Sequence, residues 1–579
     1  MGLLNYVDGT SDPILTNMVA EDKVAWYKKT NLRALYFLLL PACIGIEITS
    51  GFDAQLINAL QFIPPFNEYF GNGFINPNTQ AYDITPTTLG LIKYTIPTFS
   101  YIKKTSMNTI LHAAYSLGAV IAVPFAPTIN QWVGRRYAIM CGSVLMLSGA
   151  VLQGFSLNVA MYVISRMLLG FGVVFCIISG SAMVGELAHP KERAIMTSLF
   201  NSSYYVGAIV AAVIGLRTAT IKSEWSWRIP SFLQCIPSLI QIIFVFFLPE
   251  SPRYLVSKDR EKEAFEILTK YHAEGNRNSV FVRAEMAQIR ETIKIEMEYA
   301  KQSWADMVKT PGMRRRVLIA SLMGLFTQLS GNTLLSYYMN KILGIMSFTK
   351  TSVSTRINVS WQCWGWINGT LAALLVTRFP RRKMFLLSTT SMLCVFIALT
   401  IAIENMAKTH AEKRKNTAAS VAGLFFIYAY NPCYNIGNNA LTYTYLVELF
   451  PYAERARGIA VEQFFGRMAN FFSTYVNAIA IDAISWRYLA IYCGVLTCEV
   501  LCVYFLYPET QGRTLEELAF MFEDKSFAET VVTAVEKQIY IDRTGIYPTD
   551  ENAEPPDPTK GARFYEEKKR VIEDWRDLN

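Results

Sequence analysis

The chain has 579 residues, of which 52% are apolar and only 17% charged, and it carries a net charge of +8. The charges are gathered into blocks between apolar runs long enough to cross a bilayer, so the chain reads as an integral membrane protein and not as a soluble enzyme. Its excess Lys and Arg lie beside those runs, where retention on the cytoplasmic side accounts for them and a nucleic-acid partner does not.

In chain order, residues 1–33 are polar and charged and lack a short apolar core followed by a cleavage site; they read as a cytoplasmic N-terminal segment. Six candidate spans follow, at 34–62, 111–133, 137–155, 158–184, 195–216 and 229–248, as the N-terminal bundle 34–248. A hydrophilic block at 249–315, with amphipathic stretches such as Glu285 to Glu291, is expected to form short cytoplasmic helices against the membrane domain. Six more spans, at 316–344, 353–376, 384–404, 418–446, 457–480 and 487–507, make a C-terminal bundle 316–507. Residues 508–579 close the chain with a cytoplasmic motif and a tail that is polar from Glu523 onward and reads as mostly disordered. The fold class is therefore an all-α membrane protein of twelve transmembrane helices in two six-helix bundles. An even number of spans puts both termini on one side, and the Arg-rich loops at 134–136, 190–193, 378–383 and 452–457 make that side cytoplasmic. The loop from Lys408 to Lys415 dissents from this pattern.

The two halves repeat. Gly134-Arg135-Arg136 returns as Pro380-Arg381-Arg382, and Glu186-Leu187 with Arg193 returns as Glu448-Leu449 with Arg455. Trp227-Arg228 returns as Trp486-Arg487, and Pro249-Glu250-Ser251 as Pro508-Glu509-Thr510, each about 250 to 260 residues later. Duplicated membrane halves are how carriers with a midplane substrate site are built. The repeated charges Arg135, Glu186, Arg193, Arg381, Glu448 and Arg455 can form ion pairs across the bundle bases that hold when the inside is closed and break when it opens. Gln131 and Thr377 stand where an acid often precedes the basic pair, which predicts a thinner network.

Inside the spans, an ionisable residue costs at least roughly 2.5–3.5 kcal/mol at a helix centre, so Asp53 and Arg166 need a reason to be there. Mutual pairing is one, with either a proton-carrying or a purely structural role. Glu47 lies six residues before Asp53 and does not share its helix face; it reads as a helix-end or interhelical contact. Glu462 and Arg467 are a second intramembrane pair of charges. Arg467 suits either an acidic or larger polar substrate or a structural partnership with Glu462 or Glu499. Thr327, Gln328, Asn332, Thr333 and Tyr337 cluster in the seventh span, offering the neutral donors and acceptors that a hydroxyl-rich ligand needs. The cysteines sit mostly singly in apolar runs, and no nucleophile–base, metal-ligand or phosphate-binding constellation emerges, so neither an enzyme nor a cofactor or metal is implied.

Taken together, Gly51-Phe52-Asp53, Gly134-Arg135-Arg136, Arg166 with Gly170 and Gly172, Pro249 to Arg253, Gln328 with Gly331-Asn332 and Tyr337-Tyr338, and Pro508 to Thr514 resemble the sugar porter family of the major facilitator superfamily, most closely its fungal lactose-permease-like members. The resemblance implies two pseudo-symmetric bundles working by alternating access, with Asp53 binding a coupling proton and Arg166 tuning it. It places Gln328 and Thr333 at sugar-contacting positions, with Thr327 where a second Gln is usual, Asn201 where a Gln is common and Asn438 where a Trp is common. The expected function is proton-coupled transport of a hexose or disaccharide, with a uniporter, a polyol- or quinate-type porter and a transporter-like sensor as alternatives. The expected partners are a sugar, the proton and the lipid bilayer, the chain being a monomer in the plasma membrane. Against the family spacing, residues 93–109 look inserted, either as a long external loop or as a translated intron.

Overall fold

The computed structural model describes residues 24–60, 63–71, 107–218, 220–299, 304–345, 351–411, 417–484, 486–511, 513, 515–519 and 521–522. The polar tail from Glu523 and residues 93–106 of the candidate insertion lie outside them; Met107 already begins the second span, so 107–109 are its first helical turn.

Twelve helical rods cross the described part of the molecule. Spans 1 to 6 are Thr30–Leu60, 107–133, Arg135–Gly154, Val159–Leu187, Arg193–Thr218 and Trp225–Val245. Spans 7 to 12 are 311–345, Thr351–Leu375, Arg381–Ala411, 417–449, Tyr452–Ile484 and Arg487–Leu506. Eight rods are long and apolar enough to cross a membrane on composition alone, while spans 2, 8, 10 and 11 are not. Spans 8, 10 and 11 fall short because they carry Gln362, Asn431, Asn435, Asn439, Glu462 and Asn470, all buried inside the protein. Lipid-facing positions stay apolar, as Phe37, Val144, Leu387, Phe425 and Phe505 show by their exposure.

Within the first bundle, span 1 packs on span 5, and span 4 on spans 2 and 3; within the second, span 7 packs on span 11, and span 9 on spans 10 and 12. The bundles meet where span 2 crosses span 11 and where span 5 crosses spans 8 and 10. Spans 1 and 5 approach so closely that a Cβ at Gly51 would strike the Tyr204 carbonyl, and one at Gly207 the Ile48 carbonyl. Small residues of this kind allow backbones to touch where there is no hydrophobic force to press helices together.

Three rods are broken beside the bundle interface. Span 1 widens to a π-turn at Leu40–Ile44, beginning beside Pro41, and span 10 does so at Asn435–Asn439 after Pro432. Span 7 breaks at Ser330-Gly331, where Gly331 has φ +105° and the Phe396 ring fills the space a side chain would need. Only glycine adopts that backbone without strain.

The hydrophilic block folds into helices Pro252–Val256, Glu261–His272 and Val280–Tyr299. It is tied to both bundles by the same device. The Glu274 carboxylate accepts from the Asn31 and Leu32 amides, both at 3.0 Å, at the start of span 1; Glu296 accepts from the Tyr452 and Ala453 amides, at 3.3 and 2.8 Å, at the start of span 11. Negative charge at a helix N-terminus satisfies otherwise orphaned amides and complements the helix dipole. Between these caps, buried His272 bonds Glu285 at 2.8 Å and faces the Leu187 carbonyl at 3.3 Å. Burial alone would raise the Glu285 carboxyl, but the His272 ring outweighs it and holds Glu285 down at about 2.

Candidate functional site

An internal cavity lies between the bundles at the level of the broken helices. It offers about 130 Å³ to the centres of water molecules, room for roughly ten waters, which is the scale of a small polyhydroxylated ligand. One side is formed by Ser50, Ala54, Tyr115, Asn201, Tyr204 and Tyr205 of the first bundle. The other is formed by Thr327, Gln328, Asn332 and Thr333 of span 7, with Trp361, Gln362, Tyr434, Asn439, Tyr443, Gln463 and Asn470. Aromatic rings alternating with amides and hydroxyls give a ligand both an apolar wall and hydrogen-bond partners.

The span 7 cluster is prearranged. Gln328 Oε1 accepts from Thr333 at 2.9 Å and from Asn470 at 3.0 Å, so the break at Gly331 folds Thr333 back toward Gln328. Asn332 reaches the Tyr434 hydroxyl at 3.4 Å and accepts from Ser336 at 3.3 Å. Thr327 lines the cavity but spends its hydroxyl on the Gly324 carbonyl at 2.8 Å, and Asn201 donates across the interface to the Asn439 carbonyl at 2.8 Å. The Tyr337 side chain lies outside the described residues. Asn438, in the π-turn of span 10, is buried and donates to Glu499 Oε1 at 2.8 Å; it is not among the residues that line the cavity.

Asp53 and Arg166 meet, as the cost of leaving either alone in a span requires. They sit behind the cavity, both buried, with Arg166 Nη1 and the Gln234 amide converging on the same oxygen, Oδ1. Asp53 Oδ2 is buried and has no hydrogen-bond partner among the described residues. Gln234 was not legible as a site residue; its only signal is an amide in an apolar span. The Tyr115 ring separates this pair from the cavity, with the Arg166 guanidinium 5.1 Å from its centroid and that of Arg467 5.7 Å away.

Three charged residues reach the cavity wall directly: Glu47, Glu462 and Arg467. Glu47 is indeed turned away from Asp53, but the face it occupies looks onto the second bundle, where Tyr443 donates to it at 3.1 Å. Arg467 hydrogen-bonds Gln463 at 3.3 Å, and Gln463 in turn donates to Glu462 at 2.9 Å.

At the linker end the bundles are locked. Arg135 of the first bundle and Arg455 of the second converge on buried Glu186, at 3.2 and 3.0 Å. The second half repeats the first half's share of this, with Arg381 on Glu448 at 3.4 Å, and the Glu250 and Glu509 carboxylates accept from the amides of Arg135-Arg136 and Arg381-Arg382. Arg193 is buried at the start of span 5. Gln131 donates to the Ala453 carbonyl at 2.9 Å and accepts from the Arg457 guanidinium at 3.1 Å, so the interface is crossed at this position without an acid. Thr197 and Thr444 add a hydroxyl contact of 2.8 Å between the bundles.

Residues 38–522 match the family model described as "Sugar (and other) transporter". The chain belongs to that family. Among curated relatives it is 26% identical to the MFS-type transporter criB of Aspergillus cristatus over 73% of this chain and 86% of that one. It is 24% identical to a high-affinity glucose transporter of Kluyveromyces lactis, over 86% and 87% of the two chains. The fold matches that of the proton:xylose symporter XylE bound to 6-bromo-6-deoxy-D-glucose with a TM-score of 0.70 at 19% identity, covering 85% of this chain and all of the other. The family thus makes the molecule a multi-pass membrane transporter of the sugar porter type.

Proposed function

We propose that the protein accumulates a neutral sugar or polyol by proton symport, working by alternating access from the plasma membrane with both termini and the linker on the cytoplasmic side. The observation that carries the coupling is the Asp53 carboxylate. One oxygen holds both Arg166 and Gln234 while the other is buried without a hydrogen bond, the atom to which a proton would add. Protonation would release Arg166 toward Tyr115 and the cavity, linking the proton to the substrate wall. The likeness to a proton:xylose symporter and a glucose transporter supports this reading. Thr327, Gln328, Asn332, Thr333 and Asn201 supply the hydroxyl-binding wall. Because Arg467 is engaged by Gln463 and shares its wall with two carboxylates, a neutral polyhydroxylated ligand suits the cavity better than a hydroxy acid such as quinate.

The test is uptake by transport-deficient yeast expressing the chain, with labelled glucose, galactose, xylose, lactose, cellobiose and quinate, with and without an uncoupler. Uncoupler-sensitive accumulation of a neutral sugar, reduced to equilibration by Asp53→Asn, is the expected result. Accumulation that survives Asp53→Asn unchanged would remove Asp53 from the coupling.

A further inference from the structure

Glu47, Glu462 and Arg467 form a polar wall that the Asp53 mechanism does not use, and it is divided between the two bundles. Glu47 belongs to span 1, and Glu462, Gln463 and Arg467 to span 11. The two carboxylates are joined by a short chain of hydrogen bonds. Tyr443 donates its hydroxyl to Glu47 Oε1 at 3.1 Å, the Gln463 amide donates to that same hydroxyl oxygen at 3.1 Å, and its nitrogen also bonds Glu462 Oε2 at 2.9 Å. Both carboxylates are 4% exposed. The charged and titratable groups that face Glu47 are Arg467, Glu462, Tyr443 and Tyr434 from the second bundle and Tyr115 from span 2, beyond which stand Arg166 and Asp53. Two buried carboxylates therefore stand at the two ends of one hydrogen-bonded chain, with the Arg467 guanidinium bonded to the Gln463 within it. Buried like charges linked in this way disfavour ionising together, so the pair is expected to titrate as a unit.

We infer that Glu47 and Glu462 together bind one exchangeable proton, held while the bundles enclose the cavity and released when they part. The proton forms an O–H bond to a carboxylate oxygen, arriving from water on one side of the membrane and leaving to water on the other, with no other bond made or broken. Separation drives the release because it takes Glu47 away from Tyr443, Glu462 and Arg467 and admits water, in which each carboxylate ionises on its own. Asp53 differs in kind. Its partners Arg166 and Gln234 lie in its own bundle, so rocking leaves those contacts in place. The inference deepens the proton-coupled reading by adding a second site, but its test needs neither substrate nor transport.

That test is infrared spectroscopy of the full-length protein in lipid nanodiscs, following the protonated-carboxyl C=O band as pH is varied. The band is recorded for the wild type, Asp53→Asn, Glu47→Gln and Glu462→Gln, with Glu499→Gln to account for the buried carboxyl of span 12. A titrating band that persists in Asp53→Asn and Glu499→Gln, and that either Glu47→Gln or Glu462→Gln alone removes, is the expected result, since the remaining carboxylate would then ionise against Arg467. A spectrum unchanged by both substitutions in folded protein would overturn the shared proton, whatever Asp53→Asn does to uptake.

Discussion

Asp53 and Arg166 could be paired from sequence because each is an ionisable residue in an otherwise apolar span, and such residues must find one another. The rest of the site was less legible for physical reasons. Gln234 is neutral and has many possible partners, and nothing local marks it as the second donor to Asp53. Glu499 and Asn438 lie on different helices, so no spacing rule links them, and a π-turn shifts Asn438 off the face that regular helical geometry gives it. Glu47 read as an interhelical contact, and its partner Tyr443 lies on the other bundle while those of Asp53 lie in its own, a division that one helix read alone does not show. Replacing Gln234 with Leu removes a charge-assisted bond to a buried carboxylate. The expected loss is about 1.5–3 kcal/mol, read as a lower unfolding temperature of the purified protein, with impaired uptake. Unchanged stability and uptake would show that Gln234 does not hold Asp53.

At the scale of elements, all twelve spans were visible as apolar runs, including those interrupted by polar residues; the breaks within them were not. Gly331 is where span 7 turns Thr333 back onto Gln328. Gly331→Ala meets both the positive φ and the Phe396 ring, and is expected to cost at least about 1–2 kcal/mol and to weaken sugar uptake, measured as thermal stability and apparent affinity. The linker docks through the caps at Glu274 and Glu296 and the buried His272–Glu285 pair. Burial lowers His189 below its ordinary 6.5, outweighing its bond to Glu192, and Glu285 lies at about 2 against an ordinary 4.5. Both are depressed, so both contribute stability that is full above those ordinary values and lost as pH falls through the lowered ones. Protection of the amides in residues 261–299, taken as hydrogen exchange relative to the intrinsic rate at each pH, should therefore fall as the pH is lowered from neutral, first from His189 and further in strong acid from Glu285. Protection that rises on acidification would contradict the assignment.

At the scale of the whole molecule, the linker-end lock and the cavity are two parts of one cycle. Glu186 accepts from both bundles, and removing Arg455 leaves it with Arg135 and Ser251 of its own half but without this charge-assisted bond to the other bundle, a loss of about 1.5–3 kcal/mol in the locked state. Arg455→Ala should therefore shift the population toward the form open at the linker end. Spin labels or accessible cysteines placed across the starts of spans 5 and 11 should report wider separation and faster modification, and an unchanged distance would mean that the lock does not set the equilibrium. The duplicated motifs made this architecture readable, since the same acid and base recur in both halves. They did not show that Gln131 bridges the halves, donating to the Ala453 carbonyl and accepting from Arg457, because a glutamine is silent in a charge count.

The central claim, that sugar and proton cross together, is tested most directly with purified protein in liposomes under an outward-to-inward sugar gradient and no imposed pH gradient or potential. External pH is followed as each of glucose, galactose, xylose, lactose and cellobiose is added. The account predicts that at least one sugar enters with alkalinisation of the medium, and that Asp53→Asn abolishes the pH change. Sugar entry with no proton movement would identify a uniporter and contradict it.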